Sequence, residues 1–185
     1  MLDRELEGRQ PRPSAGVVDS QSVKAPAAKL RGYDAGKKIV GRERHIAVDT
    51  NGRLLMVNLT PADIADTTGA LAVLEALKKR WPGLKHLFAD GAYDRRTLTD
   101  KAATLDFVVQ VVRRYEDQVG FAVLPRRCAV QRTSGWMIRW RRLVRDYERR
   151  PDVSEAMVYI AMGGLLLRSS RPSLSFGSSD FPVGR

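Results

Sequence analysis

The sequence is poor in the residues that build cross-links and soft-metal sites. Cys128 is its single cysteine among 185 residues. That excludes an internal disulfide and any zinc site built on clustered thiolates. Its two histidines, His45 and His86, are too few and too far apart for a histidine metal centre. Any metal would need carboxylate ligands, which select Mg²⁺ or Mn²⁺. No apolar run approaches the roughly 20 residues that span a bilayer, so a membrane partner is not expected. The first ten residues, MLDRELEGRQ, are charged and show no secretory leader. These absences point to a cytoplasmic protein.

Positive charge is plentiful. Lysine and arginine number 32 against 21 acids, giving a net charge of +11. With 43% hydrophobic residues, the composition is that of one folded domain. A chain this basic calls for a polyanion, with nucleic acid the first candidate. The charge is concentrated: residues 113–150 hold eleven arginines and four acids. Arginine's planar fork suits phosphate oxygens.

Periodicity gives the element order. Val17, Asp19, Gln21 and Val23 alternate as one face of a strand. Residues 24–44 read as a basic loop. His45–Val48 and Leu54–Leu59 read as hairpin arms around Asp49-Thr50-Asn51-Gly52, where Asn-Gly supplies the turn. A helix is predicted from a Thr60-Pro61 cap, with Asp66 as a rival cap, and Trp81-Pro82-Gly83 stops it. Leu84–Ala89 reads as a strand, Asp94–Leu105 as a helix, and Phe107–Val112 as a strand covered on both faces. One helix is predicted over about 130–150, with Trp136, Trp140, Leu143 and Tyr147 as its apolar seam. Arg142, Arg145 and Arg149 would lie opposite that seam. A last helix is predicted over 152–168. The fold class is α/β, with a mixed sheet in the order β-β-β-α-β-α-β-α and an extra C-terminal helix. Residues 1–14 read as a tail or linker remnant, 15–168 as the domain, and the Ser/Pro/Gly-rich 169–185 as a disordered tail.

Two aspartates stand out. Asp19 lies within the first strand, and Asp90 lies where a later strand meets a glycine turn. Ligands of open α/β sheets gather at strand ends. Two carboxylates converging there repel each other unless a divalent cation lies between them. Such a pair could support phosphodiester chemistry. Asp90 as a simple turn residue is the structural alternative.

In order along the chain, VVDSQSVK, RGYDAGKKIVGRERHIAVDTNG, FADGAYD, GFAVLPRRCAVQRT and RWRRLVRDYERRPDVSEAMVYIAM resemble DDE transposases of bacterial insertion sequences. The resemblance runs from about Gly16 to Arg168. It implies a ribonuclease H-like fold and a divalent-metal nuclease and strand transferase. It implies DNA partners, namely the element's terminal inverted repeats and target DNA, with a homodimer on DNA and a nucleoid-associated location. By resemblance, Asp19 and Asp90 are the first two catalytic acids and metal ligands. The third position, glutamate in the family, holds Gln131. Arg127 matches an arginine near that position. Arg127, Arg132, Arg142, Arg145, Arg149, Lys37 and Lys38 are the DNA-contact candidates. Gln131 predicts impaired strand transfer, and the alternative is a catalytically inactive DNA-binding relic. A third, distant reading is a basic RNA-associated protein. Eighteen residues precede Asp19, where the family carries an end-binding region. The sequence therefore reads as the catalytic part of a longer protein or as a truncated copy.

Overall fold

The computed structural model describes residues 2–112 and 128–169. Its elements are α1 (Leu2–Leu6), β1 (Ala15–Lys24), β2 (Gly32–Asp34), β3 (Ile39–Asp49), β4 (Leu54–Pro61), α2 (Asp66–Arg80), β5 (His86–Ala89), α3 (Arg96–Thr104), β6 (Val108–Val111), α4 (Cys128–Ile138), α5 (Arg141–Val144) and α6 (Pro151–Ser169). The strands form one mixed sheet. β3 pairs antiparallel with β1, while β1–β5 and β5–β6 are parallel. β4 and the short β2 both pair with β3, antiparallel. The crossovers from β4 to β5 and from β5 to β6 run through α2 and α3, as parallel neighbours require.

Alternation along the strands builds two cores. Val18, Ala47, Leu55 and Leu87 face α2 and α3, where they meet Val73, Leu74, Leu77 and Leu98. Val17, Ile46, Val48 and Phe88 face the C-terminal helices, where they meet Met137, Leu143, Val158 and Met162. The β3–β4 hairpin forms where Asn-Gly predicts it. Gly52 has φ +83°, and the Asp49 carboxylate accepts from the Asn51 and Arg53 amides at 2.8 and 2.9 Å.

Four expectations need correction. The basic loop ends earlier than predicted: β3 starts at Ile39, and Arg42, Glu43 and Arg44 are buried within it. α2 starts at Asp66, because Thr60 is still paired to Glu43 in the sheet. β6 lies at the end of the described sheet, with Val108 58% exposed, so it is not covered on both faces. The single helix over 130–150 is broken: Trp140 is extended (φ −87°, ψ 110°) between α4 and α5, and Arg145 is extended after α5. After α5 the chain is held by a tertiary contact. The buried Arg42 guanidinium donates to the Asp146 carboxylate at 2.8 Å and to the carbonyls of Glu148 and Arg149 at 3.1 and 2.9 Å. Carbonyls engaged in this way are turned from a helical ladder. Arg142, Arg145 and Arg149 therefore do not share a helix face. Trp140 instead packs on Gly164 of α6, where an added Cβ would come within 3.2 Å of the indole.

Near the N-terminus, α1 and the residues after it lie against the β3–β4 turn. Arg4 is buried and pairs with Asp49, Arg53 pairs with Glu7 at 2.7 Å, and Arg9 donates to Thr50 at 3.1 Å.

Candidate active site

Asp19 and Asp90 come from the two central parallel strands. β1 and β5 are in register at Val17 and Phe88. Asp19 and Asp90 each follow two residues later, so each returns to the face of its paired neighbour. Asp90 keeps an extended backbone (φ −85°, ψ 179°). Adjacent strands lie about 4.8 Å apart, so the pairing sets the backbone at Asp19 close to the end of β5, from which Asp90 follows, although 71 positions separate the two in sequence. Both are half-buried. Asp19 accepts from the Ser20 amide at 2.9 Å. Asp90 caps the 3₁₀ turn Gly91–Tyr93, accepting from the Ala92 amide at 2.9 Å. Asp90 is thus a turn residue in its local bonding and a partner of Asp19 in its placement.

The helix carrying Gln131 crosses the same sheet face, with Met137 of α4 packed in the core beneath Val17 and Phe88. Arg132 and Thr133 donate to the carbonyls of Asn51 and Gly52, both at 2.7 Å. That turn adjoins the Gly16 end of β1, three residues from Asp19. The side chain of Gln131 and the whole of Arg127 lie outside the described residues. Among the described residues no group of three His, Cys, Asp or Glu side chains gathers.

Tyr93, which sequence reasoning passed over, is buried in the core on the α2 side of the sheet, within reach of the charges of both aspartates. Burial pushes its hydroxyl far above the ordinary tyrosine range, with the charges of Asp19, Asp66 and Asp90 adding to the effect. Its hydroxyl therefore keeps its proton. Its position three residues after Asp90, in the same turn, was the available signal. Arg44 is the second omission. It is 1% exposed and lies on the Asp19 face, because Gln21 is its cross-strand partner. Burial draws its guanidinium down to about 10, partly offset by Asp146. It donates to the Leu143 carbonyl at 2.8 Å.

The basic candidates divide into two groups. Lys37 is engaged by Glu43 at 3.0 Å and Asp34 at 3.7 Å, and Arg142 by Glu148 at 2.9 Å. Arg132 is exposed and lies over the Trp136 ring at 5.2 Å. Arg149 is exposed. Lys38 and Arg145 line a shared groove.

The transposase DDE domain family model matches residues 10–163. A Burkholderia cepacia protein assigned as the transposase of insertion sequence element IS402 is 29% identical over 157 residues, 77% of this chain and 69% of that protein. The BIV integrase catalytic core matches with a TM-score of 0.52 and 14% identity, over 87% of each chain. A chain of the simian T-cell lymphotropic virus intasome, solved with PP2A regulatory subunit B56 gamma, matches with a TM-score of 0.56 and 13% identity. That match covers 96% of this chain and 62% of the other. The HTLV-2 integrase catalytic core, solved with magnesium as a dimer, matches with a TM-score of 0.50 and 15% identity, over 85% and 89%. The fold is ribonuclease H-like.

Proposed function

The chain belongs to the transposase DDE domain family, and from that premise we propose metal-dependent cleavage at insertion-sequence ends followed by strand transfer into target DNA. The family makes it a nuclease and strand-transfer enzyme in the service of transposition. The observation that carries the finer reading is the matched placement of Asp19 and Asp90 on adjacent parallel strands. Two neighbouring carboxylates are hard oxygen donors, a set that fits Mg²⁺ or Mn²⁺. A bound divalent ion would activate a water or 3′-hydroxyl and stabilise the leaving oxygen.

The chain's own residues have distinct tasks in this reading. Asp19 and Asp90 would hold the ion. Each carboxylate accepts a backbone amide, from Ser20 and Ala92 respectively, which helps to orient it. Tyr93 keeps its proton and adds no third negative charge. Arg127, Arg132, Arg142, Arg145, Arg149, Lys37 and Lys38 contact phosphates and position the duplex. Gln131 stands at the third acid position, and an amide has the size of a carboxylate without its charge. It holds a hard cation weakly, so strand transfer is impaired while DNA binding survives. A homodimer on DNA in the cytoplasm, at the nucleoid, belongs to the same proposal. No helix among the described residues is long and apolar enough to cross a membrane.

Nicking of end-containing DNA with Mn²⁺ or Mg²⁺ tests the reading. Asp90→Ala abolishes it, and Gln131→Glu raises it at least tenfold. Nicking that survives Asp90→Ala refutes the acid assignment. The second reading, a DNA-binding relic, is favoured by Gln131 itself. It requires binding without cleavage in the unaltered chain, and robust cleavage excludes it.

A further inference from the structure

We propose that a basic groove where β1 ends is a prebuilt track for the phosphate backbone of duplex DNA, distinct from the acidic pair. The inference rests on the reading above that DNA is the substrate and that Asp19 and Asp90 mark the reacting phosphate. Lys24, Arg31, Lys38 and Arg145 line a groove of about 510 Å³ floored by Pro26 and Val40. No acid lines it. Among the described residues, none of these four cations makes an ion pair, in contrast to Lys37, Arg53, Arg142 and Arg150, which each have a carboxylate partner. Two of the four, Lys24 and Arg31, escaped the sequence reading.

The groove is assembled by three separate chain segments, and one buried side chain holds two of them. Arg42 is fully buried, and its Nε donates to the Leu30 carbonyl at 2.9 Å, which fixes the residue before Arg31. Its Nη1 and Nη2 hold Asp146, Glu148 and Arg149, the segment that follows Arg145. The Asp146 amide donates to the Lys24 carbonyl at 2.8 Å, which seats Arg145 beside the end of β1. Lys38 comes from the third segment and sits at φ 53°, a left-handed conformation that lysine rarely adopts. Like charges gathered without a counter-charge repel one another, so a fixed cluster of this kind is suited to a polyanion. Four cations around about 510 Å³ exceed what a single phosphate needs, and Pro26 and Val40 suit sugar contacts.

The spacing fits a duplex that also reaches the acids. Lys24 lies five residues beyond Asp19 on the same strand, about 17 Å at the strand rise. At about 3.4 Å per base pair, this is roughly five base pairs from the reacting phosphate.

The test uses the full chain in EDTA, so binding is read without cleavage. Affinity for a 30-base-pair end-containing duplex is followed by anisotropy across a salt series. The Lys38→Glu/Arg145→Glu variant is compared with Lys79→Glu/Arg96→Glu, which makes the same charge change on exposed residues elsewhere. The expected result is a loss of about thirtyfold or more for the groove variant, with the log–log salt slope shallower by about 2, and under threefold for the control. Hydroxyl-radical protection about five base pairs from the nick position is lost as well. Matching urea midpoints confirm folding, and Lys38→Arg retains binding. Equal losses in groove variant and control overturn the proposal, as does unaltered binding in the groove variant. A groove-specific loss in a protein that never nicks DNA upholds the track and removes the nuclease reading instead.

Discussion

Replacing Arg42 with methionine removes the guanidinium around which the C-terminal segment is folded. Arg42 and Asp146 are each 1% exposed in the side chain and lie 2.8 Å apart. Removing one partner of such a buried pair costs about 3–5 kcal/mol, because the other charge stays buried. Asp146 keeps two donors, Ser154 Oγ at 2.7 Å and the Glu148 amide at 3.0 Å. The carbonyl released at Leu30 belongs to an exposed residue, so water can take the vacated bond there. The loss should therefore sit near 3 kcal/mol, a large part of a total of about 5–15 kcal/mol. In a chain of this size it lowers Tm by roughly 6–12 °C. Asp146→Asn should cost more than Arg42→Met, because Asp146 also offsets the charge of buried Arg44. The double variant Arg42→Met/Asp146→Leu should recover much of the loss, since a buried pair exchanged for apolar groups is often near neutral. Urea unfolding of the wild type, both single variants and the Arg42→Met/Asp146→Leu double variant checks this, with Asp146→Leu closing the cycle. A loss below about 1 kcal/mol for Arg42→Met, or coupling below about 0.5 kcal/mol, refutes the pair as the organising contact.

Two further outcomes concern the opposite face of the sheet. Burial pushes His45 below the ordinary histidine range, outweighing the charges of Asp66 and Glu43. Its unfolded pKa of about 6.5 is then the higher one, so stability is lost as pH falls through that value. Urea midpoints at pH 7.5 and 5.5 should diverge more in the wild type than in His45→Gln, and equal divergence removes His45 from the account. The His45 ring also lies against Gly69, where a Cβ would collide with it. Gly69→Ala should cost about 1–3 kcal/mol through overpacking, and an unchanged melting temperature would contradict that contact.

The local signals in the sequence carried furthest. Asn51-Gly52 fixed one turn chemistry, and the β3–β4 hairpin formed there. The alternation through Val17 and Asp19 told which face the first acid joins, and the turn after Ala89 told where a strand releases the second. What stayed hidden depended on partners far away. Arg42-Glu43-Arg44 reads as basic loop, because no local rule foresees Asp146 more than a hundred positions later. The same contact holds the stretch after α5 out of the helical run that Trp136 to Tyr147 advertises. Arg142 and Lys37 look equivalent to Lys38 and Arg145 in sequence. Only tertiary placement separates cations already matched to Glu148 and Glu43 from those gathered at the groove.

The pairing of β1 with β5 sets a schedule for the newborn polypeptide. The meander of β1, β3 and β4 is contiguous and can take shape as soon as it leaves the ribosome. At that moment Asp19 stands without its neighbour, and the guanidinium at position 42 awaits a counter-charge still to be translated. An interrupted product ending before β5 would therefore carry Asp19 without the strand that leads to Asp90.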